Sequence, residues 1–147
     1  MPDSFVVDAS VVAKWFNKGE SNEEEALALR NAWIDGKVEL YSPTLLIYEV
    51  CNSIWKNPNI GKDKATSLSR LAVRLSPTLL EVREDESSES MNFARRNKLT
   101  FYDSVYIVLS KFMKHSLVSA DRDQLQASKG FAAASFHIGQ IKNFLGT

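Results

Sequence analysis

The chain has 147 residues, enough to bury a core without disulfide or metal staples, and it reads as one domain spanning 1–147. Apolar residues make up 44% and charged residues 24%, with zero formal net charge and a pI near 6.7, so no overall basic footprint advertises nucleic-acid binding. A single cysteine, Cys51, excludes an intrachain disulfide, no apolar run approaches the roughly 18 residues of a membrane span, and Met1-Pro2-Asp3-Ser4 lacks the basic start of a secretion signal, which together point to the cytoplasm.

Phe5-Val6-Val7 is an apolar, β-branched run and reads as a buried strand; it ends in Asp8-Ala9-Ser10. Asp8 therefore stands at the edge where open α/β sheets bind ligands. Taken alone, the plainer reading is that Asp8 caps the helix that follows. Val11, Val12, Trp15 and Phe16 recur at helical spacing, and Lys18-Gly19 ends that helix. Ser21-Asn22-Glu23-Glu24 has the Ser-x-x-Glu form of a capping box and predicts a helix over 21–35, with Ala26, Leu29, Ala32 and Trp33 on its apolar face. A short strand over 38–41 follows. Ser42-Pro43 marks a helix start, Ser as N-cap and Pro in the first turn, and that helix runs to Lys56 before Asn57-Pro58.

A helix is predicted over 62–75, a strand over 78–82, a helix over 86–97 and a long apolar helix over 100–113. A strand over 116–119, a short helix over 121–128, a strand over 131–134 and a helix over 137–144 complete the chain. The acidic run over 81–89 reads as a solvated helix start. Strands alternate with helices throughout, which predicts a three-layer α/β fold with a mostly parallel central sheet.

Three further acids share the position of Asp8. Glu49 lies inside an otherwise apolar helix. Asp103 is the lone carboxylate in the first turn of a helix that is apolar almost all round, where Thr100-x-x-Asp103 also fits a capping box. Asp121 follows the strand Leu117-Val118 and doubles as an N-cap candidate. The fold would bring Asp8 and Asp121 to one sheet edge, and helices opening there would add Asp103 and Glu49. Carboxylates so gathered repel one another, and a cation relieves that repulsion. Oxygen ligands without a His or Cys cluster suit Mg²⁺ or Mn²⁺ rather than zinc.

In this set of motifs the chain resembles the PIN-domain nucleases, and within them the VapC-type ribonuclease toxins of prokaryotic toxin–antitoxin pairs. The matching stretches are Val6-Val7-Asp8-Ala9-Ser10, Ser42-Pro43 with Glu49, Leu99-Thr100-Phe101-Tyr102-Asp103, and Leu117-Val118-Ser119-Ala120-Asp121, in that order. The resemblance implies a three-layer α/β/α PIN-like domain and an endoribonuclease dependent on Mg²⁺, with Mn²⁺ as a substitute. It implies that Asp8, Glu49, Asp103 and Asp121 form the catalytic quartet, with Asp8, Asp103 and Asp121 as metal ligands and Ser10 and Ser119 in support. Asp123 competes with Asp121 for, or shares, the last position. The implied partners are RNA, a VapB-like antitoxin and a second copy of the chain, with no membrane.

Local cations must then meet the RNA phosphates. Lys14, six residues after Asp8, is one candidate, and Arg95, Arg96 and Lys98 before Asp103 are others, although a solvated helix face explains the arginines more simply. Cys51 reads as buried packing, not as a nucleophile. Trp15, Trp33 and Trp55 read as core or interface. Gly61-Lys62-Asp63 lacks the rest of a phosphate-binding loop. An apolar groove between the helices over 43–56 and 62–75, lined by Ile54, Trp55, Leu68 and Leu71, is a candidate antitoxin seat. Two alternatives remain: a PIN-like binding module without catalysis, and a phospho-accepting receiver domain, which would deliver its middle acid from a strand rather than from a helix.

Overall fold

The computed structural model describes residues 1–131 and 134–146. Five parallel strands form one sheet: β1 (Asp3–Val7), β2 (Val38–Pro43), β3 (Thr78–Leu80), β4 (Ser116–Ser119) and β5 (Ser135–His137), in the order β3-β2-β1-β4-β5. Val6, Val7, Leu117 and Val118 are fully buried, so the central strands are apolar on both faces, as a sheet covered on both sides requires. A first layer contains α1 (Ala9–Val12, continued by a 3-10 turn over Ala13–Trp15), α2 (Glu23–Ile34), α3 (Leu45–Lys56) and α4 (Lys62–Arg74). The opposite layer contains α5 (Glu84–Asn97), α6 (Phe101–Met113) and α7 (Arg122–Ser128).

The order of the strands locates the crevice. From β1 the chain moves outward through β2 to β3, then returns past the centre to β4 and β5. Connections leave β1 and β4 on opposite sides, and a crevice opens between their C-terminal ends. Asp8 and Asp121 lie just beyond those two ends. The Asp8 N–H extends the ladder by donating to the Val118 carbonyl at 3.0 Å.

Several expected boundaries differ. Ser42-Pro43 does not open α3. Both residues end β2, where Pro43 pairs in register with Leu80, and the helix begins at Leu45 after Thr44. The Ser42 hydroxyl, fully buried, donates to the Val7 carbonyl at 2.6 Å; the neighbouring strand has taken the group that a cap would need. The Ser21 capping box does not form either. Asn22 adopts a left-handed conformation (φ 58°) before α2, and the Glu23 carboxylate accepts from the Gly19 N–H at 3.1 Å instead. The acidic run supplies the first turn of α5, which starts at Glu84 rather than at 86. The strand predicted over 78–82 ends at Leu80.

The last strand occupies Ser135–His137. The prediction over 131–134 falls partly on residues 132 and 133, which lie outside the described residues. The predicted tail helix is a 3-10 segment over Ile138–Asn143. Trp15 is core, stacked on Trp33 at 5.7 Å with its Nε1–H donating to the Ala26 carbonyl, whereas Trp55 is 77% exposed and outside the core. No helix among the described residues is long and apolar enough to cross a membrane.

Candidate active site

Asp8 satisfies both of its readings. It is the N-cap of α1: its Oδ2 accepts from the Ser10 N–H at 2.9 Å. It is also 5% exposed, with Oδ1 accepting from Gln124 Nε2 at 3.1 Å. Burial pushes its carboxyl above the usual range, the bonds from Ser10 and Gln124 pull it back, and the charge of Asp121 raises it again.

Asp121 likewise caps a helix. Its Oδ1 accepts from the N–H groups of Asp123 and Gln124, at 3.0 and 3.1 Å. The buried Ser119 hydroxyl accepts from the Asp121 N–H at 2.9 Å, and Ser10 Oγ accepts from the Ala120 N–H at 2.9 Å. The two serines therefore pin the turn after β4 against the turn after β1. Asp123 is exposed and lines a separate depression with Asn97, Lys98 and Leu99.

Asp103 sits in the first turn of α6, half-buried, with Thr100 Oγ1 accepting its backbone N–H at 3.1 Å as the cap predicted. Its carboxyl is raised by burial and by the charges of Asp8 and Asp121. Glu49 reaches in from α3. The fully buried Tyr106 of α6 donates its hydroxyl to Glu49 Oε1 at 2.8 Å. Burial, offset in part by that bond and supplemented by the charges of Asp8 and Asp103, pushes Glu49 up to about 7. Burial and the same three carboxylates (Asp8, Glu49 and Asp103) drive the Tyr106 phenol well above its ordinary range, so it remains a donor.

Asp8, Glu49 and Asp103 thus each feel the charge of at least one other acid of the four. None takes part in an ion pair with Lys, Arg or His among the described residues. The donors that reach them are backbone N–H groups, an amide, a phenol, a serine and a threonine. Uncompensated carboxylate oxygen suits a hard divalent cation. Among the described residues no three His, Cys, Asp or Glu side chains already converge closely enough to hold one ion. Repulsion between charges acts over longer distances than the roughly 2.1 Å of a Mg²⁺–oxygen bond, so both observations hold together. The donor set fits the ion; its members stand apart.

Two groups had no sequence signal. Gln124 is fully buried on the short α7, and its Nε2 also donates to the Asp103 carbonyl at 3.1 Å. Tyr106 lies in an apolar run where a tyrosine resembles core. Of the other candidates, Lys14 is 7% exposed and faces the half-exposed Glu20 at 3.6 Å in a depression shared with Ser10 and Ala120. Arg95, Arg96 and Lys98 are exposed. Burial raises the Cys51 thiol, the direction opposite to that of an activated nucleophile.

A family model described as PIN domain matches residues 5–130. Exonuclease VapC9 of Pyrobaculum aerophilum is 28% identical over 131 residues, covering 88% of this chain and 90% of that protein. Ribonuclease VapC3 of the same organism is 26% identical over 121 residues, covering 80% and 88%. Among solved structures, PAE2754 from Pyrobaculum aerophilum superposes with a TM-score of 0.70 at 24% identity, covering 99% of this chain and 97% of that one. Mycobacterium tuberculosis VapC20, a toxin that cleaves the sarcin–ricin loop, has a TM-score of 0.64 at 19% identity, covering 88% and 98%.

Proposed function

Because this chain belongs to the PIN-domain family, we propose that it is a divalent-metal-dependent endoribonuclease of the VapC type, the toxin of a toxin–antitoxin pair. The carrying observation is the crevice between β1 and β4, around which Asp8, Glu49, Asp103 and Asp121 gather close enough for their charges to be felt, with no ion pair to any of them among the described residues. The relatives named as an exonuclease and a ribonuclease support a nuclease reading.

In this reading Asp8, Asp103 and Asp121 hold the ion, Mg²⁺ or Mn²⁺. When bound, the ion neutralises charge that develops on the cleaved phosphate. Glu49 is the proton acceptor. Burial and neighbouring charge raise its affinity for a proton to about the operating pH, where a general base works best. Tyr106 holds one Glu49 oxygen and leaves the other free to take a proton from an attacking water. Ser10 and Ser119 keep the two acidic turns in register. Asp121, not Asp123, fills the last acidic position, because the Asp121 charge is the one felt by Asp8 and Asp103. Lys14 is the candidate phosphate contact beside Ser10. The proposed location is the cytoplasm. Tyr48 and Trp55, 74% and 77% exposed on α3, offer an apolar surface to an antitoxin or to a second copy of the chain.

The test is cleavage of a panel of structured and single-stranded RNAs with Mg²⁺ or Mn²⁺, with EDTA, and with Asp103→Asn. Metal-dependent cleavage that falls at least 100-fold in the variant is expected. Full activity of a folded Asp103→Asn protein would overturn the assignment. Folded wild type that neither cleaves nor binds metal would favour the non-catalytic binding module.

A further inference from the structure

One side chain touches three of the four acidic segments. Gln124 is fully buried, and all of its polar side-chain atoms are engaged. Its Nε2 donates to Asp8 Oδ1 and to the Asp103 carbonyl, both at 3.1 Å. Its Oε1 accepts from the Ser119 hydroxyl at 2.6 Å, and its backbone N–H donates to Asp121 Oδ1 at 3.1 Å. We propose that Gln124 is the positioning residue of the acidic site, setting the Asp8 carboxylate and the first turn of α6 at fixed distances from the turn that carries Asp121. The proposal rests on the metal-dependent reading above.

The amide can sit only one way. Its nitrogen faces a carboxylate and a carbonyl, which only accept, and its oxygen faces a hydroxyl. Ser119 has a single proton and gives it to Gln124. At the 3.4 Å contact between the two serines only Ser10 has a proton to offer, and the Asp8 carboxylate competes for it. The Ser119 hydroxyl and the amide form a directed chain, Ser119 to Gln124, and it ends on Asp8. Such chains strengthen each of their members.

The amide is also neutral. An arginine or lysine in its place would satisfy Asp8 by cancelling its charge and would compete with an arriving cation. Gln124 orients the carboxylate and leaves its charge uncancelled. Groups that orient metal ligands in this way typically govern metal affinity by 10–100-fold.

Gln124→Met keeps the length and bulk of the side chain and removes the donors and the acceptor. The full chain is titrated with Mn²⁺, free ion is read by electron paramagnetic resonance, and thermal melting is recorded in parallel. The proposal expects a cooperative melt, an Mn²⁺ dissociation constant raised 10–100-fold, and RNA cleavage that recovers toward the wild-type kcat as metal is added in excess. A purely structural role would lower the melting temperature and leave the affinity of the folded fraction unchanged. Mn²⁺ affinity within twofold of wild type in a folded variant would overturn the proposal and leave the nuclease reading intact. If the Met variant does not fold, Gln124→Asn provides the same readout. It keeps the amide but is one methylene too short to span from Ser119 to Asp8, so unchanged affinity there also overturns the proposal. Wild type that binds no Mn²⁺ overturns the metal-dependent reading and this inference with it.

Discussion

The two halves of the acidic crevice are built differently. At the ends of β1 and β4, Asp8 and Asp121 are caught in a mesh of backbone N–H groups, two serines and a glutamine, and Asp8 is nearly sealed from solvent. Across the crevice, between α3 and α6, Glu49 is held by a single phenol, and the Asp103 carboxylate, although near Thr100, stands half in water. The first half is held by the denser set of bonds, and the second by fewer, although burial raises the carboxyls of both. Among the described residues the four acids do not form a ready-made ion cage, and the difference in bonding says which half is fixed more firmly in place.

That comparison can be broken most sharply at Asp8. Asp8→Asn keeps one oxygen, which can accept from Ser10 or from Gln124 but not from both, and removes the charge. Metal-dependent cleavage is expected to fall at least 100-fold, while the metal-free protein melts within about 3 °C of wild type, because relief of a buried charge is offset by a donor left without an acceptor. Paired activity and calorimetry measurements check both halves; an active variant would place the essential charge elsewhere.

The pH dependence of stability is the next test. A carboxyl whose folded pKa is raised binds its proton more tightly when folded. It therefore destabilises the fold as pH climbs from the unfolded value of 4.5 to about 7, and fully above that. The Asp8 and Asp103 shifts have the same sign. Metal-free protein is expected to melt about 3–6 °C higher near pH 5.5 than at pH 8, a figure reduced for the partial solvent exposure of Glu49. Saturating Mg²⁺ should abolish most of the difference. A melting temperature that does not change with pH would argue that burial and neighbouring charge do not hold these carboxyls above their ordinary range.

A smaller effect is expected on the loosely held side. Tyr106→Phe removes the side-chain hydrogen bond that holds Glu49 among the described residues. Stability should fall by about 0.5–1.5 kcal/mol. Cleavage should fall roughly 10-fold with little change in Mn²⁺ affinity, because the tether serves the base and not the ion. Unchanged kcat would remove Tyr106 from the site. The smallest effect belongs to Asp123→Asn. The exposed Asp123 lines a different depression, and kcat is expected to stay within about twofold of wild type. A large loss would move the last acidic position from Asp121 to Asp123.

Much of this arrangement was legible before any coordinates. Phe5-Val6-Val7-Asp8 announces a buried strand ending in a charge, and Thr100 with Asp103 announces a helix start in an apolar run; both are local patterns, and both form. The alternation of strands and helices was enough to expect a parallel sheet. What failed were local signals overridden from a distance. Ser42 had the chemistry of a cap, and a strand 35 residues away claimed its hydroxyl. Ser21 had the spacing of a capping box, and a left-handed Asn22 turned the chain before the box could close. Gln124 had no signature at all. Its importance comes from partners 116 and 21 residues away, and an amide on a seven-residue helix looks like any surface residue until the fold assembles around it.

The outermost strands, β3 and β5, are three residues each. Each rim of the sheet thus exposes roughly 10 Å of unpaired backbone, too little to template another chain by strand addition. Edges this short disfavour edge-to-edge polymerisation even when the protein is crowded.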